Sequence, residues 1–283
     1  MLELICADAR ARPSLVITRP DRPAGRGRKL SAPPVADRAR ELGLPVAQPE
    51  SVNDQAVLER VVAAAEGAPA IVCAFGALIR EPLLSGIELL NVHPSLLPRW
   101  RGAAPVERAI MAGDAESGVC IMRVSAGLDE GPVALLAREP IHEDDTYGSL
   151  ASRLEGLAAT LLVRALCEPL EFRPQAAEGV TYAEKITAAD RLLDPADRAS
   201  ELARTVRALT PHIGARAQLP GGELLGVAAA RIVDAAPPPG LHAVDGRLLL
   251  GCSDGALELL RVRPPGGREM DGVDYVRGRG ARL

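Results

Sequence analysis

The first 170 residues alternate short apolar runs with longer amphipathic segments, and this alternation constrains the fold more than any other feature. The runs "SLVIT" (14–18), "AIVCAF" (70–75) and "ELLNVHP" (88–94) have the length and β-branched content of buried strands. Stretches of helical period separate them, among them "SVNDQAVLERVVAAAEG" (51–67). Strands that alternate with helices form βαβ units, so we predict an α/β fold with a Rossmann-like, mostly parallel sheet over residues 1–170.

The sequence changes character after residue 170. Residues 171–190 have little periodicity and are typical of a linker. Residues 191–283 contain short β-like runs broken by Pro and Gly, as in "LHAVDGRLLLGCSDGALELLRVRP" (241–264). This pattern indicates a small β-barrel of the OB-like type. We therefore predict an N-terminal α/β domain (1–170), a linker (171–190) and a C-terminal barrel domain (191–283).

Composition excludes two broad classes of protein. The five cysteines are scattered and never form a Cys-x-x-Cys pair, so neither a zinc site nor a disulfide framework is indicated. The longest charge-free run, residues 67–79, is shorter than the roughly 18 to 20 apolar residues of a membrane span. These features favour a cytoplasmic protein with no membrane partner.

Charge is distributed unevenly along the chain. The net charge is −4, but residues 191–283 hold 13 basic against 11 acidic side chains and are therefore net positive. Residues 19–29 hold five basic side chains against one acidic side chain. Local basicity on an acidic protein indicates either a solvated loop or a surface for a polyanion, and the charge count alone favours neither.

Two polar side chains lie at the end of a predicted strand. Asn91 and His93 are two positions apart, so an extended strand directs both to the same face. Ligands of open α/β sheets bind at the carboxyl ends of strands. The turn "SAGLDEGPV" (125–133) adds Asp129, and Gly127 and Gly131 permit a tight backbone there. A structural role for each residue is the alternative, since single His and Asp residues at such positions are commonly structural.

The segment that follows favours a functional interpretation. "HPSLLPRWRGAAP" (93–105) is a Pro-bounded loop in which Arg99 and Arg101 flank Trp100, the chain's single tryptophan. Rigid loops at strand ends line small-ligand pockets. The sequence therefore predicts that Asn91, His93 and Asp129 share a ligand-binding cleft. Trp100 is either a core residue or a residue that lines this cleft, and we favour an anchor of its loop near the ligand.

These motifs resemble the 10-formyltetrahydrofolate-dependent formyltransferase family. The resemblance rests on "NVHPSLLPRWRGAAPVERAI" (91–110) and "GLDEGPV" (127–133). It implies that Asn91, His93 and Asp129 are catalytic, and that the folate co-substrate is contacted by Ser95, Leu96, Leu97 and Pro98. It further implies that Asn91 and a protonated His93 donate hydrogen bonds to the developing oxyanion, that Asp129 keeps His93 charged, and that no metal is required.

Two further segments narrow the resemblance within that family. "TRPDRPAGRGRKLSAPPV" (18–35) and "VTYAEKI" (180–186) are similar to the members that act on methionyl initiator tRNA. The implied reaction is transfer of the formyl group of 10-formyltetrahydrofolate to the α-amine of methionyl initiator tRNA, by a monomeric enzyme. The implied tRNA contacts are Arg22, Arg26, Arg28 and Lys29. Arg204, Arg207, Arg216 and Arg231 of the C-terminal domain are candidates for further phosphate contacts, and a solvated surface position is the more common alternative for each.

Two other functions stay open on the sequence. One is a formyltransferase or formyltetrahydrofolate hydrolase that acts on a small amine or on water. The other is a non-catalytic protein that binds folate or tRNA. The start of the chain bears on this choice, because family members begin with an additional strand and turn, and "LELICADARA" (2–11) matches the helix that follows them. We therefore expect the first strand to be missing, with a true start roughly 15 to 20 residues upstream or a weakly active truncated form.

Overall fold

The computed structural model describes residues 1–24 and 29–279. The α-helices are α1 (Leu2–Cys6), α2 (Pro34–Glu41), α3 (Gln55–Ala65), α4 (Leu83–Gly86), α5 (Pro105–Ala112), α6 (Tyr147–Cys167), α7 (Ala199–Leu209) and α8 (Gly272–Arg279). The strands of the N-terminal part are β1 (Val16–Ile17), β2 (Arg22–Ala24), β3 (Lys29–Ser31), β4 (Val46–Ala47), β5 (Ala70–Cys73), β6 (Leu89–His93), β7 (Arg101–Gly102), β8 (Glu116–Arg123) and β9 (Val133–Pro140). The later strands are β10 (Tyr182–Ala183), β11 (Ala215–Gln218), β12 (Leu224–Val233), β13 (Gly240–Val244), β14 (Arg247–Cys252), β15 (Gly255–Arg263) and β16 (Met270–Asp271).

The chain forms two compact units, each built from several stretches of sequence. The first unit contains Met1–Ala103, Gly118–Glu139 and Arg153–Tyr182. The second contains Ala104–Ser117, Pro140–Ser152 and the chain from Ala183 onward.

The first unit is an α/β fold, as the alternation of strands and helices predicts. Strands β1 and β4 pair in parallel, and a separate sheet has the order β5-β6-β8-β9. Within that sheet β5 and β6 are parallel, while β8 runs antiparallel to β6. The predicted Rossmann-like α/β fold is confirmed, and its parallel strands are the pairs β1–β4 and β5–β6. Strand β8 differs from the predicted parallel pattern because it runs antiparallel to β6.

Strand β6 lies inside the first unit because it carries apolar side chains on both faces, Leu89 on one and Leu90 and Val92 on the other. Leu89, Leu90 and Val92 are buried, and Leu90 is fully enclosed. Leu89 belongs to one buried cluster with Val61 of α3 and with Val52, which lies in the turn before that helix. Burying a side chain of this size stabilises a fold by about 1.5 to 3 kcal/mol. This packing fixes the position of the strand that carries the candidate catalytic residues.

The basic loop, residues 19–29, includes parts of two paired strands that the sequence does not predict. Strands β2 and β3 pair antiparallel, with Arg22 opposite Ser31 and Ala24 opposite Lys29. Arg26 and Arg28, two of the predicted tRNA contacts, lie outside the described residues. The structure therefore describes residues 19–24 and residue 29 of this loop.

The second unit is organised by one antiparallel sheet with the order β11-β12-β15-β14-β13, to which β16 adds beside β15. The sheet curls so that its end strands β11 and β13 approach each other, which gives half of a barrel. Helix α7 packs on it through Leu202, Val206 and Leu209, and Tyr275 of α8 belongs to the same core. The predicted small β-barrel is thus confirmed in the form of a curled half-barrel.

Within the described ranges, none of the helices has both the length and the apolar character that a bilayer-crossing helix needs.

Candidate active site

Strand β6 directs Asn91 and His93 to one side of its sheet, as their spacing predicts. The ladder places Asn91 opposite Val72 of β5 and Met122 of β8. Asn91 is partly buried and His93 is 3% exposed. Both side chains are therefore held by a strand that has neighbours on both sides.

Asp129 completes a group of three polar side chains. Its Oδ1 accepts a hydrogen bond from Nδ2 of Asn91 at 3.2 Å, and its Oδ2 accepts one from the backbone N–H of Gly102 at 2.9 Å. Its Oδ2 also lies 3.6 Å from Nδ1 of His93, which is ion-pair range but longer than a hydrogen bond. The structure thus brings together all three residues that the sequence predicts as catalytic.

The turn that carries Asp129 differs from the expected one. The left-handed backbone conformation belongs to Asp129 itself, with φ of +47°, and to neither flanking glycine. Gly131 is needed for close approach instead, because a Cβ there would overlap the carbonyl oxygen of Arg123. Positive φ is uncommon in residues other than Gly, although Asp is among those that tolerate it. The turn therefore aims the Asp129 carboxylate at β6 through a locally unfavourable conformation.

The environment of His93 makes it neutral at pH 7. Burial lowers the pKa of His93 below its usual value near 6.5, and this outweighs the nearby Asp129 carboxylate and the Trp100 carbonyl, which both raise it. Nε2 of His93 lies 2.8 Å from the carbonyl oxygen of Trp100, to which it donates when it carries the proton. This corrects the expectation that Asp129 keeps His93 protonated, because desolvation is the larger effect.

Two of the four residues in the predicted folate-contacting stretch are buried. Ser95 is fully buried and its hydroxyl donates to the carbonyl oxygen of Arg99 at 2.7 Å. Leu97 is buried as well, whereas Leu96 and Pro98 are partly exposed. A ligand at this stretch would therefore meet Leu96 and Pro98 rather than the side chains of Ser95 and Leu97.

Two residues of the predicted linker reach the site. The backbone N–H of Trp100 donates to Oγ1 of Thr181 at 2.9 Å. Gln175 contacts Arg101 and the backbone on both sides of Glu130. Neither residue was predicted from the sequence, since the segment has no periodicity that would point to contacts so distant along the chain.

A cleft of about 300 Å³ opens at the carboxyl ends of β1, β4 and β5. Thr18, Arg22, Glu50 and Phe75 line it. Arg22, one of the predicted tRNA contacts, therefore lies at a ligand-sized cavity. Lys29, another of them, lies in β3.

Three of the arginines in the second unit that were expected to meet phosphates have internal partners. Nε of Arg204 donates to the carbonyl oxygen of Met111 at 3.0 Å, and Arg207 donates to the carbonyl oxygen of Asp145 at 2.7 Å. Arg231 pairs with the buried carboxylate of Glu258 at 2.8 Å. Each of these guanidinium groups has a structural task, so a phosphate contact would be an addition to it.

The chemistry of the three-residue group is that of addition to a carbonyl carbon. Nδ2 of Asn91 has two protons, one of which Asp129 accepts, so the other can stabilise a developing oxyanion. Neutral His93 and the Asp129 carboxylate can accept a proton together. The described residues contain no group of three or more His, Cys, Asp or Glu side chains that could hold a metal ion.

Family comparisons define the class of protein to which this fold and site belong. The model of the formyl transferase family, described as "Formyl transferase", matches residues 3–166. The model described as "Formyl transferase, C-terminal domain" matches residues 185–280. The two matches together cover most of the chain, which therefore belongs to the formyl transferase family.

Individual relatives narrow the family. The methionyl-tRNA formyltransferase of Halorhodospira halophila is 43% identical over 282 residues, which are 96% of this chain and 90% of that protein. The methionyl-tRNA formyltransferase of Cereibacter sphaeroides is 42% identical over 93% of this chain and 87% of that protein. The chain belongs to the methionyl-tRNA formyltransferase family.

A solved structure shares the fold at lower sequence identity. HypX from Aquifex aeolicus, in complex with tetrahydrofolic acid, matches 84% of this chain with a TM-score of 0.62 and 18% identity. The match covers 43% of the HypX chain. At this identity the likeness supports the fold alone.

Proposed function

We propose that Asn91, His93 and Asp129 are the catalytic groups of formyl transfer from 10-formyltetrahydrofolate to the α-amine of methionyl initiator tRNA. The activity follows from family membership over nearly the whole chain. The observation that supports the residue roles is the convergence of the three side chains, with Asp129 hydrogen-bonded to Asn91 and in ion-pair range of His93. The product, formylmethionyl-tRNA, is used in translation initiation.

Asn91 supplies the donor for the oxygen of the formyl group. When the amine adds to the formyl carbon, negative charge develops on that oxygen, and a fixed amide N–H stabilises it. Asp129 accepts the other Nδ2 proton and so holds the amide in one orientation. A single donor of this kind contributes about 3 kcal/mol to lowering the barrier.

His93 and Asp129 together accept the proton that the amine loses. His93 is neutral at pH 7, so its imidazole can take a proton, and the Asp129 carboxylate 3.6 Å away stabilises the imidazolium that results. The same proton then goes to N10 of the folate as the C–N bond to the formyl group breaks. In the overall step the amine loses one proton, a new C–N bond forms to the formyl carbon, the C–N bond to folate breaks, and N10 gains the proton.

The folate co-substrate supplies a formyl group that its nitrogen already activates. We assign its contacts to the stretch Ser95–Pro98, where Leu96 and Pro98 are the accessible side chains and the buried Ser95 holds the backbone through Arg99. This arrangement offers an apolar edge beside the catalytic group.

Recognition of tRNA is assigned to the basic loop. Arg22, Arg26, Arg28 and Lys29 supply the positive charge that phosphates of the acceptor end require. The hairpin pairing of β2 and β3 supports this assignment, because it joins the two ends of the loop that carry Arg22 and Lys29. Arg22 at the cleft connects the loop with a ligand-sized space.

The domain boundaries predicted from the sequence stand as a proposal: a catalytic domain over 1–170, a linker over 171–190 and a tRNA-binding domain over 191–283. A monomer acting in the cytoplasm completes it. The scattered cysteines, which form no disulfide framework, support the reducing compartment.

A labelled-formyl assay tests the function. The protein is incubated with 10-formyltetrahydrofolate labelled in the formyl group and with methionyl initiator tRNA, and formylmethionyl-tRNA is separated and counted. The proposal requires labelled product that depends on Asp129, with Asp234→Asn, an exposed acid of the second unit, as the matched control. Labelled formate without labelled tRNA would instead identify a hydrolase, and retention of tRNA without product would identify a binding protein.

A further inference from the structure

Gln175 uses every hydrogen-bonding position of its carboxamide in the active-site region. Its Nε2 donates to the carbonyl oxygen of Asp129 at 2.8 Å and to that of Gly131 at 2.9 Å. Its Oε1 accepts from Nε of Arg101 at 3.0 Å and from the terminal nitrogen of the same guanidinium at 2.8 Å. Since two carbonyls and one guanidinium surround the group, only this orientation of the amide satisfies all four contacts.

The two carbonyls that Gln175 holds lie in the turn that aims the Asp129 carboxylate. Asp129 has φ of +47°, a conformation that costs of order 1 to 3 kcal/mol unless its surroundings impose it. The amide of Gln175 donates hydrogen bonds to this turn at Asp129 and again two residues later at Gly131. Gln175 therefore opposes relaxation of the turn toward an ordinary backbone conformation.

The third contact of Gln175 reaches the other support of the same carboxylate. Arg101 immediately precedes Gly102, whose backbone N–H donates to Oδ2 of Asp129 at 2.9 Å. Gln175 thus fixes the backbone of Asp129 and, through Arg101, the residue beside the donor to its side chain. One amide therefore contacts both the backbone of Asp129 and the residue next to the N–H donor of its carboxylate.

The segment around Gln175 is itself anchored to the first unit. Arg173 and Val133 exchange two backbone hydrogen bonds of 2.9 Å, two residues before Gln175 and two residues after Gly131. A short bridge of this kind fixes the position of Gln175 along the chain relative to the Asp129 turn. This backbone pairing fixes the segment from which the Gln175 side chain extends toward the turn.

We propose that Gln175 is a positioning residue for formyl transfer: its amide holds Asp129 in the geometry in which the carboxylate contacts Asn91 and faces His93. This inference rests on the proposed catalytic role of Asp129. Gln175 acts through Asp129 and touches neither substrate, so its loss changes the rate of the chemical step and leaves the KM for folate and for tRNA unchanged.

Two variants separate the donors of Gln175 from its acceptor. Gln175→Ala removes all four contacts. Gln175→Glu keeps the size of the side chain and an oxygen for Arg101, but places its second carboxylate oxygen against two carbonyl oxygens. Positioning of Asp129 requires the donors, so both variants lower kcat by about 10- to 100-fold. Gln55→Ala, at an exposed glutamine of α3, is the matched control and keeps the wild-type kcat.

A double-mutant cycle with Asp129→Asn shows whether Gln175 acts through Asp129. Single-turnover rates are measured with enzyme in excess, after circular dichroism has established folding, so that slow variants stay measurable. Asp129→Asn alone lowers the rate by about 10²- to 10⁴-fold. Gln175→Ala then has no further effect in that background, whereas a purely structural contribution would lower the rate equally in both.

Three results would overturn the inference: a wild-type rate in Gln175→Ala, a wild-type rate in Gln175→Glu, or an equal loss with and without Asp129→Asn. The first two leave the proposed function intact as long as Asp129→Asn is slow. A wild-type rate in Asp129→Asn would remove the catalytic role of Asp129, and the role of Gln175 with it.

Discussion

Asn91 and Asp129 are 38 positions apart in the chain and are joined by a hydrogen bond of 3.2 Å from the amide of the first to the carboxylate of the second. The bond ties an amide donor on a central strand to the carboxylate that also faces His93. One carboxylate thus orients the oxyanion donor and supports the proton acceptor. We predict that each of these three groups is needed for a different part of the same step.

Removal of the amide tests the oxyanion contact. Asn91→Ala deletes the donor and leaves Oδ1 of Asp129 without this partner. We expect kcat to fall by about 10²- to 10³-fold, because loss of one fixed oxyanion donor has an effect of this size. Steady-state formylation at saturating folate and tRNA measures it, with KM for both substrates unchanged. A loss confined to KM would show that Asn91 binds substrate without stabilising the oxyanion.

The pH dependence of kcat tests the protonation state of His93. Burial lowers the pKa of His93 below its usual value near 6.5, so the wild-type imidazole is neutral at pH values above 6.5. We therefore expect kcat to fall only on the acid side of the profile. Asp129 raises the pKa of His93, so Asp129→Asn lowers it further and moves the acid limb of the remaining activity to lower pH. The profile is recorded for both proteins between pH 5 and 8. Activity that instead declines toward high pH near 6.5 would show that protonated His93 is the active form.

The two glycines beside Asp129 are expected to respond differently to the same substitution. In Gly131→Ala the new Cβ meets the backbone carbonyl of Arg123, which cannot move without displacing the turn. In Gly127→Ala it meets the carboxylate of Glu130, the end of a flexible side chain on the surface. Gly131→Ala should therefore lower kcat. It should also lower the free energy of unfolding by about 1 to 3 kcal/mol, the usual cost of such overpacking.

Gly127→Ala is the control for that experiment. Both variants add one methyl group to the same turn, so urea denaturation and kcat can be compared directly. Equal stability and equal activity of the two variants would contradict the close approach of Gly131 to Arg123.

Arg26 tests the assignment of the basic loop. Arg26→Ala should raise the KM for methionyl initiator tRNA and leave the KM for folate unchanged, because the loop is assigned to tRNA alone. Loss of one phosphate contact also makes tRNA binding less dependent on salt. Binding is measured from about 50 to 200 mM salt, the range over which phosphate contacts weaken strongly, with Arg60→Ala, at an exposed position of α3, as the control. A salt dependence identical to that of the wild type would remove Arg26 from the interface.

The sequence was sufficient to place the strand residues of the site. An apolar run of strand length that ends in Asn-Val-His predicts β6 and predicts that Asn91 and His93 share a face, and both predictions are confirmed. Asp129 could be placed near them because it follows the next apolar run in a turn between glycines. The inference on Asn91 and His93 succeeds because it depends on local periodicity alone, whereas that on Asp129 depends on its glycine-flanked turn and on the family resemblance.

Other features of the site depend on contacts that local sequence does not encode. The tight backbone of the Asp129 turn is expected at the neighbouring glycines, since glycine is the residue that usually adopts positive φ, yet Asp129 itself adopts it. The neutral state of His93 depends on burial, which outweighs the attraction of Asp129. Gln175 contacts the backbone of Asp129 across 46 positions, from a segment without periodicity. Each of these features is a property of packing in three dimensions.

The most direct test of the central claim is single-turnover formyl transfer by His93→Ala, with tRNA binding measured on the same preparation. His142→Ala, at an exposed histidine, is the matched control and is expected to match the wild type. We predict that His93→Ala binds methionyl initiator tRNA as tightly as the wild type and transfers the labelled formyl group at least about 100-fold more slowly, the size of a lost acid–base group. A folded His93→Ala protein that transfers the formyl group at the wild-type rate would contradict the proposed role of His93.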